Sequence, residues 1–95
     1  MINNNVSAGP RTLEEISSWL VERVAFYVER PSREIDPHVS VTEAGLDSVY
    51  AFALCGEIED QFGLAVEPEQ MWELDTLTAL AAHLAELTPE FERKR

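Results

Sequence analysis

The chain has a single cysteine in its 95 residues, Cys55, so no disulfide can close within it. Without a covalent staple the fold must be held by burial, and Cys55, set among apolar neighbours, reads as a small buried side chain in a reducing compartment. Long hydrophobic runs are missing too. No stretch approaches the roughly 20 apolar residues that span a bilayer, and the opening Met1, Ile2, Asn3, Asn4, Asn5 lacks the cationic-then-apolar order of a leader. These absences lead to the expectation of a soluble, unprocessed cytoplasmic protein with no membrane partner.

Positive charge is scarce. Seven Lys and Arg stand against eighteen Asp and Glu, a formal net charge of −11. Such a field repels a phosphate backbone rather than displacing its counterions, which excludes nucleic acid and favours proteins presenting basic patches. Histidine is limited to His38 and His83, and neither lies in a motif that would set it beside a serine, so an autonomous serine hydrolase lacks its general base. No run alternates with period two for long enough to make a strand.

Helical periodicity is present instead. Thr12 followed three residues later by Glu15 is a capping box, and it opens a helix expected to run to about Glu29. Leu13, Ile16, Leu20, Val24 and Tyr27 form its apolar stripe, flanked by Trp19 and Phe26. Pro31 and Pro37 break the pattern, leaving residues 30–46 as a long connection. Ile35, Val39, Val41 and Leu46 are spaced to pack it against the helices, and Gly45 suits a turn with positive φ.

A second helix is expected over Ser48 to Phe62, ended by Gly63. Its core stripe is Ala51, Leu54, Cys55, Ile58 and Phe62, with Glu57, Glu59, Asp60 and Gln61 on the solvated side. A surplus stripe, Val49, Phe52, Ala53 and Gly56, points away from the core and suggests docking. A brief helix over Glu69 to Leu74 and a last one capped by Thr76 follow, with Leu77, Leu80, Ala81, Leu84 and Leu87 as the final stripe, closed by Pro89 ahead of a frayed tail over 90–95. The fold class is all-α: a four-helix bundle of three longer helices and one short one, with a long loop between helices 1 and 2, in a single domain over 1–95 whose core is about 12–87.

Gly45, Leu46, Asp47, Ser48 end the long loop and start the second helix. On local pattern Asp47 and Ser48 are simply a helix cap. A helix N-terminus also has free N–H groups and a favourable dipole, so a phosphoester on Ser48 would be well placed there.

In this setting the chain resembles the acyl carrier proteins. Residues 45–48 resemble the attachment motif, 57–64 the end of the second helix, and 74–84 the final segment, so the likeness covers about 12–87. The resemblance implies that Ser48 accepts 4′-phosphopantetheine from coenzyme A through a separate phosphopantetheinyl transferase, with Asp47 as motif residue and cap. It further implies a non-catalytic, monomeric carrier of acyl thioesters. Its partners would be an acyl-loading ligase or acyltransferase and ketosynthase or condensation enzymes, reading Val49, Phe52, Ala53, Gly56, Glu57, Glu59 and Asp60.

Departures from the family pattern suggest a subtype. Val49 replaces a common leucine, Asp75 stands where many polyketide carriers have proline, and the apolar first turns after Ser48 differ from the acidic ones of fatty-acid carriers. Leu46 and Asp47 differ from the usual peptidyl-carrier motif and favour an acyl cargo. A discrete carrier of a polyketide or lipopeptide pathway fits best; a fatty-acid or peptidyl carrier, or a small acidic adaptor without prosthetic group, is the alternative.

Overall fold

The computed structural model describes residues 12–87. They form four α-helices: α1 (Leu13–Val28), α2 (Ser48–Phe62), α3 (Pro68–Leu74) and α4 (Leu77–Leu87). The expected closure at Pro89, the tail over 90–95 and the opening at Met1 lie outside the described residues. No strand forms among the described residues; Ser40 and Thr76 make an isolated antiparallel bridge.

The helix ends follow from local chemistry. Thr12 Oγ1 accepts the Glu15 N–H at 3.1 Å while the Thr12 N–H donates to Glu15 Oε1 at 3.2 Å, closing the capping box of α1. α1 stops at Glu29, left-handed at φ 60°, whose N–H turns back to the Ala25 and Phe26 carbonyls. Gly63, at φ 71°, ends α2 in the same way. Pro68 occupies the first turn of α3, where its missing N–H costs nothing, and Thr76 Oγ1 accepts the Ala79 N–H at 3.0 Å to cap α4.

Between the helices lies an apolar core with no buried polar or charged side chain among the described residues. Ile16, Leu20 and Val24 of α1 meet Ala51, Leu54 and Ile58 of α2, Met71 of α3, and Leu77, Leu80 and Leu84 of α4. Leu13 departs from its expected place: at the first residue of α1 it lies beyond the bundle and is 45% exposed. Phe62 is half-buried and meets Trp19 edge-on, ring centres 5.1 Å apart.

The long connection is ordered. Ile35, Val41 and Leu46 are buried, whereas Val39 is only half-buried, and Ser32–Glu34 makes a single 3-10 turn. Burying a Val or Leu side chain is worth about 1.5–3 kcal/mol, enough for two such anchors to offset much of the ordering cost of the segment between them. Backbone bonds stitch the loop to the α3–α4 junction: Val41 N–H to Asp75 O at 2.7 Å and Thr78 N–H to Pro37 O at 3.0 Å. Asp75 itself has φ 75°, inside a γ-turn closed by Thr76 N–H to Leu74 O at 2.9 Å. Proline, held near φ −65°, cannot take that backbone conformation.

Candidate functional site

The loop delivers Ser48 to the start of α2. Gly45, at φ 105°, makes the turn, and a Cβ there would lie 3.3 Å from Val28 Cγ1, so the loop rests directly on the last turn of α1. Leu46 is buried beneath it and its N–H bonds Val41 O at 3.0 Å. With Leu46 pinned, Asp47 and Ser48 face outward and both are exposed.

Asp47 is the N-cap, its Oδ1 accepting the Tyr50 N–H at 2.9 Å. Ser48 is the first helical residue, and among the described residues the N–H groups of Ser48 and Val49 have no partner. An exposed hydroxyl thus stands beside unpaired N–H groups at the positive end of a helix dipole, an arrangement that tolerates a phosphoester. No histidine is hydrogen-bonded to it. His38 is tied to Asp36, whose Oδ1 accepts the His38 N–H at 2.9 Å, and His83 lies on α4. Cys55 is no substitute nucleophile, because burial, assisted by the charge of Glu67, pushes its thiol up.

Beside Ser48 the outer face of α2 is apolar. Val49 and Phe52 are each 72% exposed, Gly56 is exposed and Ala53 half-buried, so this stripe does face away from the core. Glu59 and Asp60 are exposed further along the helix.

Glu57 corrects the expectation of a fully solvated acidic side. Its side chain is 33% exposed and is held by Arg23 of α1, Nε to Oε1 at 2.7 Å and Nη2 to Oε2 at 3.3 Å, while the Tyr27 hydroxyl donates to Oε2. Burial alone would raise the Glu57 carboxyl, but the bonds from Tyr27 and Arg23, with the guanidinium charge, outweigh it and hold the carboxyl below its usual range. Tyr27 also stacks on Tyr50, ring centres 5.4 Å apart, and the Arg23 guanidinium lies 4.7 Å over the Phe26 ring. The helix-period reading of α2 missed this cluster because its partners belong to another helix. A basic residue and a tyrosine four apart on α1, Arg23 and Tyr27, were the available signal.

The sequence pattern of the family described as "Phosphopantetheine attachment site" matches residues 18–84, a span that contains Ser48 and all of α2 and α3. The chain belongs to this family. A phenolphthiocerol/phthiocerol polyketide synthase of Mycobacterium tuberculosis is 33% identical over 75 residues, covering 79% of this chain and 4% of that protein. The polyketide synthase PksM of Bacillus subtilis is 33% identical over 85 residues, covering 90% of this chain and 2% of that protein. The chain therefore spans only a few hundredths of the length of these relatives. Among solved structures, a free-standing peptidyl carrier protein from an uncharacterized Acinetobacter baumannii secondary metabolic pathway superposes with a TM-score of 0.78 at 31% identity, covering 82% of this chain and 98% of that one.

The group that this family carries is 4′-phosphopantetheine, and the α2 terminus fits it. The hydroxyl is exposed, the adjacent N–H groups have no partner among the described residues and would meet phosphate oxygens, and Val49 and Phe52 beside it are exposed. Bound, the group supplies a thiol on a flexible arm. Ser48 would hold the group through its hydroxyl, with Asp47 and the first turn of α2 setting its position.

Proposed function

We propose that Ser48 is the acceptor of 4′-phosphopantetheine and that the domain carries acyl groups as thioesters between partner enzymes of a polyketide or lipopeptide pathway. The observation that carries this reading is the exposed Ser48 hydroxyl at the first position of α2, within the family match and next to unpaired N–H groups. In the loading step the Ser48 oxygen attacks the β-phosphorus of coenzyme A, 3′,5′-adenosine bisphosphate leaves, and the hydroxyl proton passes to a base of the transferase. The carrier has no need of its own base, in keeping with the absence of a histidine bond to Ser48. It is a substrate for catalysts rather than one itself, and tethering raises the concentration of its cargo at each active site visited.

The partners in this reading are a phosphopantetheinyl transferase, an acyl-loading ligase or acyltransferase, and ketosynthase or condensation enzymes. Val49, Phe52, Ala53 and Gly56 form the apolar part of the surface they read, and Glu59 and Asp60 its free acidic part; Glu57 contributes through its pairing with Arg23. The likeness to a peptidyl carrier favours a second reading, in which the cargo is an aminoacyl group. An adaptor without prosthetic group would have no use for the attachment motif.

Incubation with coenzyme A and a broad-specificity transferase, followed by intact mass, tests the proposal. The wild-type chain gains one phosphopantetheine and Ser48→Ala gains none; a wild-type chain that stays unmodified overturns the carrier reading. Charging the loaded protein with acyl ligases or with amino-acid-activating enzymes then separates the two cargo classes.

A further inference from the structure

Ser48 stands in a turn with little of its own to hold it. Asp47, Ser48 and Val49 are exposed, and the N–H groups of Ser48 and Val49 have no partner among the described residues. Leu46 before the turn and Ala51 after it are buried. Of residues 47–50, only Tyr50 packs against the core, half-buried, so its side chain is the one that ties the turn to the rest of the protein. Helix ends fray at almost no cost unless such a contact opposes it.

Two interactions meet at Tyr50. Its N–H donates to Asp47 Oδ1 at 2.9 Å, closing the cap, and its ring stacks on Tyr27 of α1, centres 5.4 Å apart and planes inclined by 28°. Tyr27 is fixed at its far end, where its hydroxyl donates to Glu57, which Arg23 of α1 also holds. Tyr50 and Glu57 lie about two turns apart along one side of α2. A single phenol of α1 therefore touches α2 twice, at the Ser48 turn with its face and two turns later with its hydroxyl. Held in this way, the Tyr27 ring is a fixed platform for Tyr50 and, through the cap, for the turn that carries Ser48.

We propose that Tyr50, seated on Tyr27, is a positioning residue for the loading of Ser48: the stack keeps the first turn of α2 formed, so the hydroxyl is in place when the transferase docks. The proposal rests on Ser48 as attachment point. Misplacing a reacting atom by about 1 Å costs on the order of 100-fold in rate. Phe52, Ala53 and Gly56 lie in later turns and keep their places when the first turn frays. The stack thus acts on turnover and leaves docking alone. An aromatic contact of this geometry shifts the ratio of ordered to frayed turn by a factor of roughly 2–10.

The test measures steady-state loading with coenzyme A and a broad-specificity transferase, well below the thermal midpoint of every variant. Tyr50→Ala lowers kcat about fivefold and leaves KM for the carrier within about twofold of wild type. It also speeds amide hydrogen exchange at Tyr50 and Ala51, whose N–H groups bond Asp47, beyond any change at Leu54 and Ile58. Tyr50→Phe keeps the flat ring and loads like the wild type. Val66→Ala is the control: Val66 is buried outside the aromatic stack, so its truncation lowers stability without changing kcat.

An unchanged kcat in folded Tyr50→Ala, a Tyr50→Phe variant as slow as Tyr50→Ala, or an equal slowing in Val66→Ala overturns the positioning role and leaves the carrier reading intact. So does a loss that falls on KM alone, or exchange that rises equally along α2. If Tyr50→Ala does not fold, Tyr50→Leu, which keeps apolar volume without a flat ring, is judged by the same criteria. A wild-type chain that never gains the prosthetic mass overturns both readings.

Discussion

Arg23 on α1 and Glu57 on α2 are joined by a guanidinium–carboxylate contact, Nε to Oε1 at 2.7 Å, and the Tyr27 hydroxyl completes the clasp. The contact ties α2 to α1 at the flank of α2, on the boundary between its buried face and its outward apolar stripe. It also withdraws one negative charge from the surface. The free acidic part of α2 is thereby left to Glu59 and Asp60.

Both members of the pair are about one-third exposed, so solvent screens part of the attraction. A double-mutant cycle over Arg23→Ala and Glu57→Ala should give a coupling of about 1 kcal/mol, near the upper end for exposed pairs because the geometry is two-pronged. Urea denaturation of the four variants measures it. A coupling indistinguishable from zero would make the contact ornamental.

The same clasp sets a pH dependence. The folded carboxyl of Glu57 lies below its unfolded value, so its stabilisation is fully present above the unfolded pKa of about 4.3 and is lost as pH falls through the lower folded value. Thermal midpoints of wild type and Glu57→Gln should differ most near about pH 6–7 and draw together at about pH 3. A gap that widens on acidification would contradict the sign.

Gly45→Ala tests the turn that presents Ser48. At φ 105° any side chain is strained, and the new Cβ would press on Val28 at 3.3 Å. The expected loss is about 1–3 kcal/mol by chemical denaturation, with slower loading by the transferase. Wild-type stability would mean that the loop can leave α1 without cost.

Phe52→Ala should slow loading or acylation several-fold while changing stability by about 0.5 kcal/mol or less, because Phe52 is 72% exposed. Initial rates at fixed transferase concentration, with the thermal midpoint as control, separate docking from folding. A large fall in midpoint would place Phe52 in a packing role.

Raising the salt concentration from about 0.05 M to 0.5 M should lower the apparent association rate with the transferase, if the exposed Glu59 and Asp60 steer the encounter. Glu59→Gln combined with Asp60→Asn should flatten that dependence. Rates that ignore salt would leave recognition to the apolar stripe alone.

Much of the site was legible in the chain because its determinants are local. Asp47 as cap, Ser48 as first helical residue, Gly45 at positive φ and the outward stripe of Val49 and Phe52 all follow from residue type and helical spacing over a few positions. The surroundings of Glu57 were not legible in that way. A helical wheel sorts residues into core and solvent, and has no place for a carboxylate on the boundary that another helix claims.

The sequence by itself determined the all-α class, the order of three longer helices and one short one, their caps, and a serine at the start of the second helix, because periodicity and capping act within one or two turns. Tertiary structure alone decided that Arg23 and Tyr27 hold Glu57, that Gly45 packs on Val28, that Val41 bonds Asp75, and that Phe26 faces a groove rather than the core. Each of those relationships joins residues from different elements. Such contacts exist only once the long loop has closed and the buried stripes have set the relative rotation of the helices.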